Sequence, residues 1–384
     1  MTRKPTAGMY LLLGSMTLAV HAPRSLAGGD AHTAPAVPIP ADRNRDGQHD
    51  FDFELGTWEI HLQRRAQQLA GSNQWVRFDG TSVTQKVWNG RSQIEQFETD
   101  GAGGRIEGLT LRTYNPQTHQ WNLYWANSKD GLVVPVQVGQ FRNGRGEFYG
   151  YDTLNGRPIL IRFLWTHTQT DTPHFEQSFS EDGGQTWEVN WITDQHRVSA
   201  AAINPHPAPP ALAVDAGNKA AGAATARDGQ HDFDPLIGHW TYHLKRRLHP
   251  LTGSSSWVDL KGTGECIRLW DGRADLDEVD LDGPSGRIEG LTLRLYDPQA
   301  RQWRLYWANS KDGNLVAPQV GGFRDGRGEF YAPDTLDGRT ILVRFGWSNM
   351  TTPTPHFEQA FSSDGGKSWE VNWITDQTRL PGAE

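Results

Sequence analysis

The sequence predicts an all-β protein made of two tandem antiparallel up-and-down barrels, each of about eight to ten strands, and three observations carry that prediction. The first is a gapless internal repeat. SEDGGQTWEVNWITDQ, from Ser180 to Gln195, returns as SSDGGKSWEVNWITDQ from Ser362 to Gln377, an offset of 182 residues that also sets His49 on His231, Trp58 on Trp240, Arg112 on Arg294 and Arg197 on Arg379. A period this long is a duplicated domain and not a solenoid unit. The second is turn chemistry. Asn89-Gly90, Asp100-Gly101, Asn115-Pro116, Asp130-Gly131, Asn143-Gly144, Asn155-Gly156 and Asp182-Gly183-Gly184 punctuate the first copy, and Asp-Gly or Asp-Pro pairs stand at the matching places from Asp271 to Gly366. Such pairs favour the tight turns of hairpins. The third is the absence of any 3.6-residue apolar period between them. An opening strand followed by consecutive hairpins best protects its edges by closing into a barrel, with a sandwich as the alternative.

Composition narrows the class. Sixteen Trp, fifteen Phe and nine Tyr against four Met in 384 residues point to cores built from large rigid rings. A formal net charge of −8 argues against nucleic acid, whose phosphates call for a basic surface. Arg3 and Lys4 precede an apolar run from Met9 to Val20 that is too short to span a bilayer, and Ser25-Leu26-Ala27 offers small residues for cleavage. Residues 1–27 therefore read as a signal peptide, and the protein as periplasmic or secreted. Cys266, the single cysteine, stands where the first copy has Thr84 and excludes an intramolecular disulfide.

Taken in order, residues 28–45 form an Ala/Pro/Gly/Asp leader too polar to order itself. The first barrel domain spans 46–198 and opens with DGQHDFD. In Trp58-Glu59-Ile60-His61-Leu62, alternation puts Trp58, Ile60 and Leu62 on one face of a half-buried strand. Along the last three strands Ile159, Ile161, Phe163 and Trp165 share a face, as do Phe175, Gln177 and Phe179, then Trp187, Val189 and Trp191. This aromatic face is expected to point inward. Residues 199–227, with Pro205, Pro207, Pro209 and Pro210, have linker composition. It leaves the domains free to stand apart or to pack face to face. The second barrel domain spans 228–384.

Gly56-Thr57-Trp58 and Gly238-His239-Trp240 resemble the Gly-x-Trp signature of the lipocalin and calycin barrels. That resemblance implies that Arg197 and Arg379, near the end of the last strand, stack on Trp58 and Trp240 and close the base. The wider set of GQHDFD, RIEGLTLR, YWANSKDG, GRGEFY, PHFEQ and DGGxxWEVNWI resembles an uncharacterised family of secreted bacterial lipocalin-like proteins, over nearly all of both copies. It implies a fold but no activity. Glu59-Ile60 and Thr241-Tyr242 replace the glycines of haem-binding calycins, so neither haem nor another cofactor is implied.

Several motifs are candidates for chemistry. Ser180-x-Asp182-x-Gly184-x-Thr186-Trp187, with its copy around Asp364, has the form of an Asp-box, in which a carboxylate fixes a hairpin; one per domain points to a structural turn. Asp42-x-Asn44-x-Asp46-Gly47-x-x-Asp50 has the spacing of a calcium loop, but Phe53 stands at the bidentate position and a solvated acidic leader is the simpler reading. No paired-His zinc motif and no nucleophile elbow is present, and no metal is implied. Ligand-binding candidates are Tyr124, Trp125, Asn127 and Lys129 at a strand end near the mouth, with Trp165 and Gln177 on the inward face. Their copies are Tyr306, Trp307, Asn309, Lys311, Trp347 and Gln359. Gln177 and Gln359 are polar in an apolar face and need a partner or a ligand.

The opposite face carries Arg162, His174, Glu176, Glu188 and Asn190. It reads as an exterior ladder in which Arg162 lies beside Glu176; if inside and outside are exchanged, Arg162, His174 and Glu176, with Arg344, His356 and Glu358, become an acid–base set. Three functions follow. The first is binding of a small, largely apolar or aromatic molecule in Trp-lined cavities. The second is an isomerase, cyclase or hydrolase using the Arg/His/Glu set. The third is a carbohydrate or surface-binding module, which requires exposed Trp.

Overall fold

The computed structural model describes residues 42, 44–202 and 228–380. The signal stretch and most of the leader and of the linker lie outside the described residues. Ten antiparallel strands close each barrel in sequence order. The first holds β1 (Gly56–Arg65), β2 (Trp75–Val87), β3 (Ser92–Gly101), β4 (Gly104–Asn115), β5 (Gln120–Asn127), β6 (Gln137–Arg142), β7 (Arg145–Leu154), β8 (Arg157–Thr166), β9 (His174–Ser180) and β10 (Glu188–Ser199). The second repeats it as β11 (Gly238–Arg247), β12 (Trp257–Leu269), β13 (Ala274–Asp282), β14 (Ile288–Asp297), β15 (Gln302–Asn309), β16 (Gln319–Arg324), β17 (Arg327–Leu336), β18 (Arg339–Ser348), β19 (His356–Ser362) and β20 (Glu370–Arg379). In the first barrel β1 pairs with both β2 and β10, and in the second β11 pairs with both β12 and β20, so no edge is left and a sandwich is excluded.

Why the chain turns where it does is visible in its backbone. Asn143-Gly144 and Asn155-Gly156 have φ of 51° and 75°, and 52° and 77°, the left-handed pair that a two-residue hairpin needs. Pairing then fixes the faces. Ile60 lies opposite Gln195 and Gly80, and Leu62 opposite Thr193 and Phe78, which places all of them in the lumen.

One end of each lumen is plugged. The DGQHDFD segment enters a 3-10 turn at Asp52–Glu54 and drives Phe51 into a ring cluster with Trp121, Phe141, Phe148 and Trp165, at centroid distances of 4.8–5.4 Å. Trp121 Nε1 donates to Gly47 O at 2.9 Å and Tyr114 donates to Asp46 at 2.9 Å, which ties the segment to β4 and β5. Arg45 meanwhile pairs with Asp50. Asp46 and Asp50, two of the acids that resemble a calcium loop, are thus engaged by Tyr114 and Arg45. Trp58 is fully buried; the Arg197 guanidinium lies 4.0 Å from its ring centre and donates to Leu55 O and Phe53 O at 2.7 Å. Arg379 lies 4.2 Å from Trp240 in the same way. The two closed barrels with this Trp at the base fit a calycin-like fold.

The barrels pack against each other. One apolar cluster joins the outer faces of β2–β5 and β12–β15, including Trp88, Leu109, Leu111 and Tyr124 from one side and Trp270, Leu291, Leu293 and Tyr306 from the other. Polar contacts around it obey a pseudo-twofold axis. Arg91 pairs with Glu289 as Arg273 pairs with Glu107. Leu315 N donates to the Tyr124 hydroxyl at 3.1 Å and Val133 N to that of Tyr306 at 3.3 Å. Gln117 donates to Lys311 O and Gln299 to Lys129 O. Duplication supplied matching faces, and of the two arrangements the linker allows, the packed one is present.

Candidate functional site

Solvent reaches the lumen from the end opposite the plug. There the inward side chains Val76, Ile106, Trp125, Asn127, Gln177 and Trp191 are half-buried, whereas those at the base are sealed. Phe97, Trp125 and Trp191 form a three-ring wall, with centroids 5.8 Å apart for Phe97 and Trp125 and 6.1 Å for each of the other two pairs. The edge of the Trp125 indole sits over Gly108, where a Cβ would stand 2.1 Å from Cη2. Only a glycine lets the ring lie there. Gly290 and Trp307 repeat the arrangement at 2.1 Å, and Trp307 faces Trp373 at 6.3 Å. The β1–β2 loop folds over this mouth: Leu69, held at φ 51°, donates its N–H to Glu188 Oε1 at 2.7 Å and packs on the aromatic core, while Arg65 bonds Val189 O and Ser72 O. Leu251 and Glu370 do the same in the second barrel.

Below the aromatic wall each lumen holds an arginine and two carboxylates, from different positions. In the first barrel Arg112 donates to Glu95 at 2.6 Å and Glu54 accepts from Trp165 Nε1 at 2.9 Å. In the second, Leu236 replaces Glu54 and Asp275 replaces Gln93, so Arg294 donates to Asp275 at 2.6 Å and Asp277 at 2.7 Å. Burial pushes Glu54 up to about 7, more than Arg112 lowers it, and Asp275 likewise to about 7 against Arg294. Both guanidiniums also lie over rings, Arg112 at 5.1 Å from Phe51 and Arg294 at 4.7 Å from Phe233. Trp347, deprived of a Glu54 counterpart, leaves its Nε1 without a partner among the described residues.

The residues singled out from the sequence fall into three places. Trp125, Asn127, Trp165 and Gln177, with Trp307, Asn309, Trp347 and Gln359, face the lumen; Trp165 and Trp347 lie deep and the others nearer the mouth. Gln177 Nε2 donates to Asn190 Oδ1 at 2.7 Å and Gln359 to Asn372 at 2.7 Å, so both half-buried amides have partners. Tyr124 and Tyr306 do not line a lumen. Alternation turns them outward, where their hydroxyls bridge the barrels. Lys129 and Lys311 are exposed at turns. Asp182 and Asp364 hold their hairpins: Asp182 accepts from the Thr186 hydroxyl at 2.6 Å and from Ser180 at 2.7 Å, and these bonds keep its carboxyl well below the usual range.

The Arg/His/Glu set lies on the barrel exterior, and its members separate. Arg162 stands opposite Ser178, not Glu176, and covers the Trp187 ring at 4.7 Å; Arg344 covers Trp369 at 4.9 Å. His174 instead sits between Asp194 at 2.6 Å and Glu176 at 3.2 Å, repeated by His356 with Asp376 and Glu358. Burial opposes the charge on His174, but the hydrogen bonds to Asp194 and Glu176 outweigh it and raise its pKa. Asp194 was not singled out from the sequence, although alternation from Trp191 puts it on the exterior beside His174; the bulge before Trp191 upset only the residues ahead of it. Between Val189 and Trp191 the register shifts, so Glu188 and Asn190 point inward and Trp187 outward, the reverse of simple alternation.

No family model and no curated protein matches the chain. Among solved structures, the S-type phycobiliprotein lyase of Guillardia theta aligns at 12% identity over 42% of this chain and 97% of that one, with a TM-score of 0.29. A protein of unknown function from the DUF3598 family of Nostoc punctiforme aligns at 10% over 88% and 100%, with a TM-score of 0.23. Transferrin-binding protein B of Haemophilus parasuis follows at 8% over 84% and 75%, with a TM-score of 0.17.

Proposed function

We propose that the protein binds a small, largely apolar or aromatic molecule in the mouth half of its barrels. The observation that carries this reading is the gradient along the lumen: sealed rings at the base, and half-buried Trp125 and Trp191 beside Phe97 at the solvent end. Aromatic walls with a few polar groups suit flat apolar ligands. Asn127 and Gln177 supply the polar groups. The reading includes export to the periplasm or beyond, resting on the N-terminal residues.

The alternative functions have less support. The exterior position of Arg162, His174 and Glu176 gives them no cavity in common. The strongly exposed large apolar side chains among the described residues are Tyr151, Val198, Val316 and Tyr331, with no Trp among them, so a flat Trp platform for a carbohydrate surface is missing there.

The test is equilibrium titration with N-phenyl-1-naphthylamine, a neutral dye that brightens in apolar sites. Saturable binding that quenches tryptophan emission, and that weakens about tenfold in Trp191→Ala, is the expected result. Absence of saturable binding at micromolar dye would contradict the reading.

A further inference from the structure

Both mouths carry an arginine at the same place, half-buried in the first barrel as Arg64 and exposed in the second as Arg246. Arg64 follows Leu62 on the inward face of β1, opposite Trp191 and Val76, and its guanidinium lies 6.0 Å from the Trp191 ring centre. Burial alone acts on it, and lowers its pKa. No carboxylate among the described residues answers it. Glu188, the inward acid of the same mouth, is already taken by the Leu69 N–H and lies 3.7 Å from Arg65. A half-buried cation without a counter-ion is costly unless something supplies the missing charge. A second polar group faces the same lumen without a partner: Thr99 Oγ1, on a residue only 1% exposed, opposite Gly80 and Ile106. In the second barrel neither feature is kept. Arg246 is exposed, and Leu281 stands in place of Thr99.

We propose that the first barrel takes an organic anion, a carboxylate or sulfonate on a flat apolar body, with Arg64 receiving the charged end and Trp125 and Trp191 the body, whereas the second barrel takes the uncharged counterpart. This rests on the binding reading given above and adds its charge selectivity. Arg64 is suited to the task because guanidinium forms two parallel bonds to a planar or tetrahedral oxyanion and stacks on an indole at the same time. Thr99 can donate a further hydrogen bond from within the lumen.

The experiment compares two dyes on the full chain: N-phenyl-1-naphthylamine and its sulfonated analogue 8-anilinonaphthalene-1-sulfonate, which share the aromatic body. The variants are Arg64→Gln, Arg64→Lys and, at the matching exposed position, Arg246→Gln, each checked for fold by far-UV circular dichroism. Expected is a loss of about tenfold or more in sulfonate affinity for Arg64→Gln, as for removal of a charged hydrogen-bond donor, partial recovery in Arg64→Lys, and no change in Arg246→Gln. The neutral dye should bind all four proteins alike. Neutral binding with a sulfonate affinity indifferent to Arg64→Gln overturns the charge assignment alone. Failure of both dyes to bind any of the proteins overturns the binding reading and this inference with it.

Discussion

Glu54 shows how much rests on single side chains at the base of the first barrel. Its Oε1 accepts from Trp165 and, at 3.5 Å, from Gln195, while burial holds its pKa near 7 instead of the ordinary 4.5. The folded protein thus keeps a proton that the unfolded chain gives up above 4.5. Stability from this group is complete below that value and declines as pH rises towards about 7. At about 1.4 kcal/mol per unit the span amounts to roughly 3 kcal/mol. Glu54→Gln should remove that decline, narrowing the difference in unfolding free energy between pH 5 and pH 8 by about this amount in denaturant titrations. An unchanged difference would show that Glu54 titrates like a solvated acid. Gly108 is a second sensitive position. Gly108→Ala sets a methyl against Trp125 and is expected to cost about 1–3 kcal/mol, to shift tryptophan emission and to weaken dye binding; unaltered emission and binding would place Trp125 elsewhere. Neither role was legible in the sequence. Glu54 follows an acidic run that reads as solvated and carries no sign of burial, and a strand glycine announces a close approach without saying to what.

At the scale of elements, turn chemistry carried most of the prediction. Seven of the connections in each copy bear an Asn/Asp-Gly or Asn/Asp-Pro signal and coincide with hairpin ends; residues 66–74 and 167–173 connect strands without one, so the strand number could only be bracketed. Alternation located the inward face correctly on β1, β8 and β9. It failed at the start of β10, because a bulge inserts one residue and leaves no mark in composition. It also could not tell lumen from interface on β4, where Leu109 and Leu111 face the other barrel while Thr110 and Arg112 face inward. The Asp-box hairpin is a local device: Asp182 accepts from the amides of Gln185 and Thr186 at 3.0 and 2.9 Å. Asp182→Ala should therefore speed hydrogen exchange at Gln185 and Thr186 and leave the amides of β1 unchanged. Exchange that accelerates throughout the barrel would mean that the hairpin supports the whole fold.

For the whole molecule, the shared core matters more than the linker suggested. A linker rich in Pro and Ala permits independence, yet Trp88, Leu111, Trp270 and Leu293 are buried only against the partner barrel's face or beside it, in one continuous cluster. The second barrel expressed alone, residues 228–384, would expose that face. It is expected to form a symmetric dimer that restores the missing contacts, seen as a doubled mass in light scattering. A stable monomer would mean that the face tolerates water. The repeat announced two copies; that they share one core followed only from seeing which strand faces outward at β2–β5 and β12–β15.

The central claim, that the barrel mouths hold a small apolar or aromatic molecule, is tested most directly by native mass spectrometry of protein purified gently from its own host, followed by the same measurement after denaturation. The account predicts added mass on the folded chain, up to two equivalents, that is released on unfolding as a molecule with an aromatic or extended apolar body. A folded chain at its bare mass that also leaves tryptophan emission unchanged across a panel of apolar dyes would contradict it.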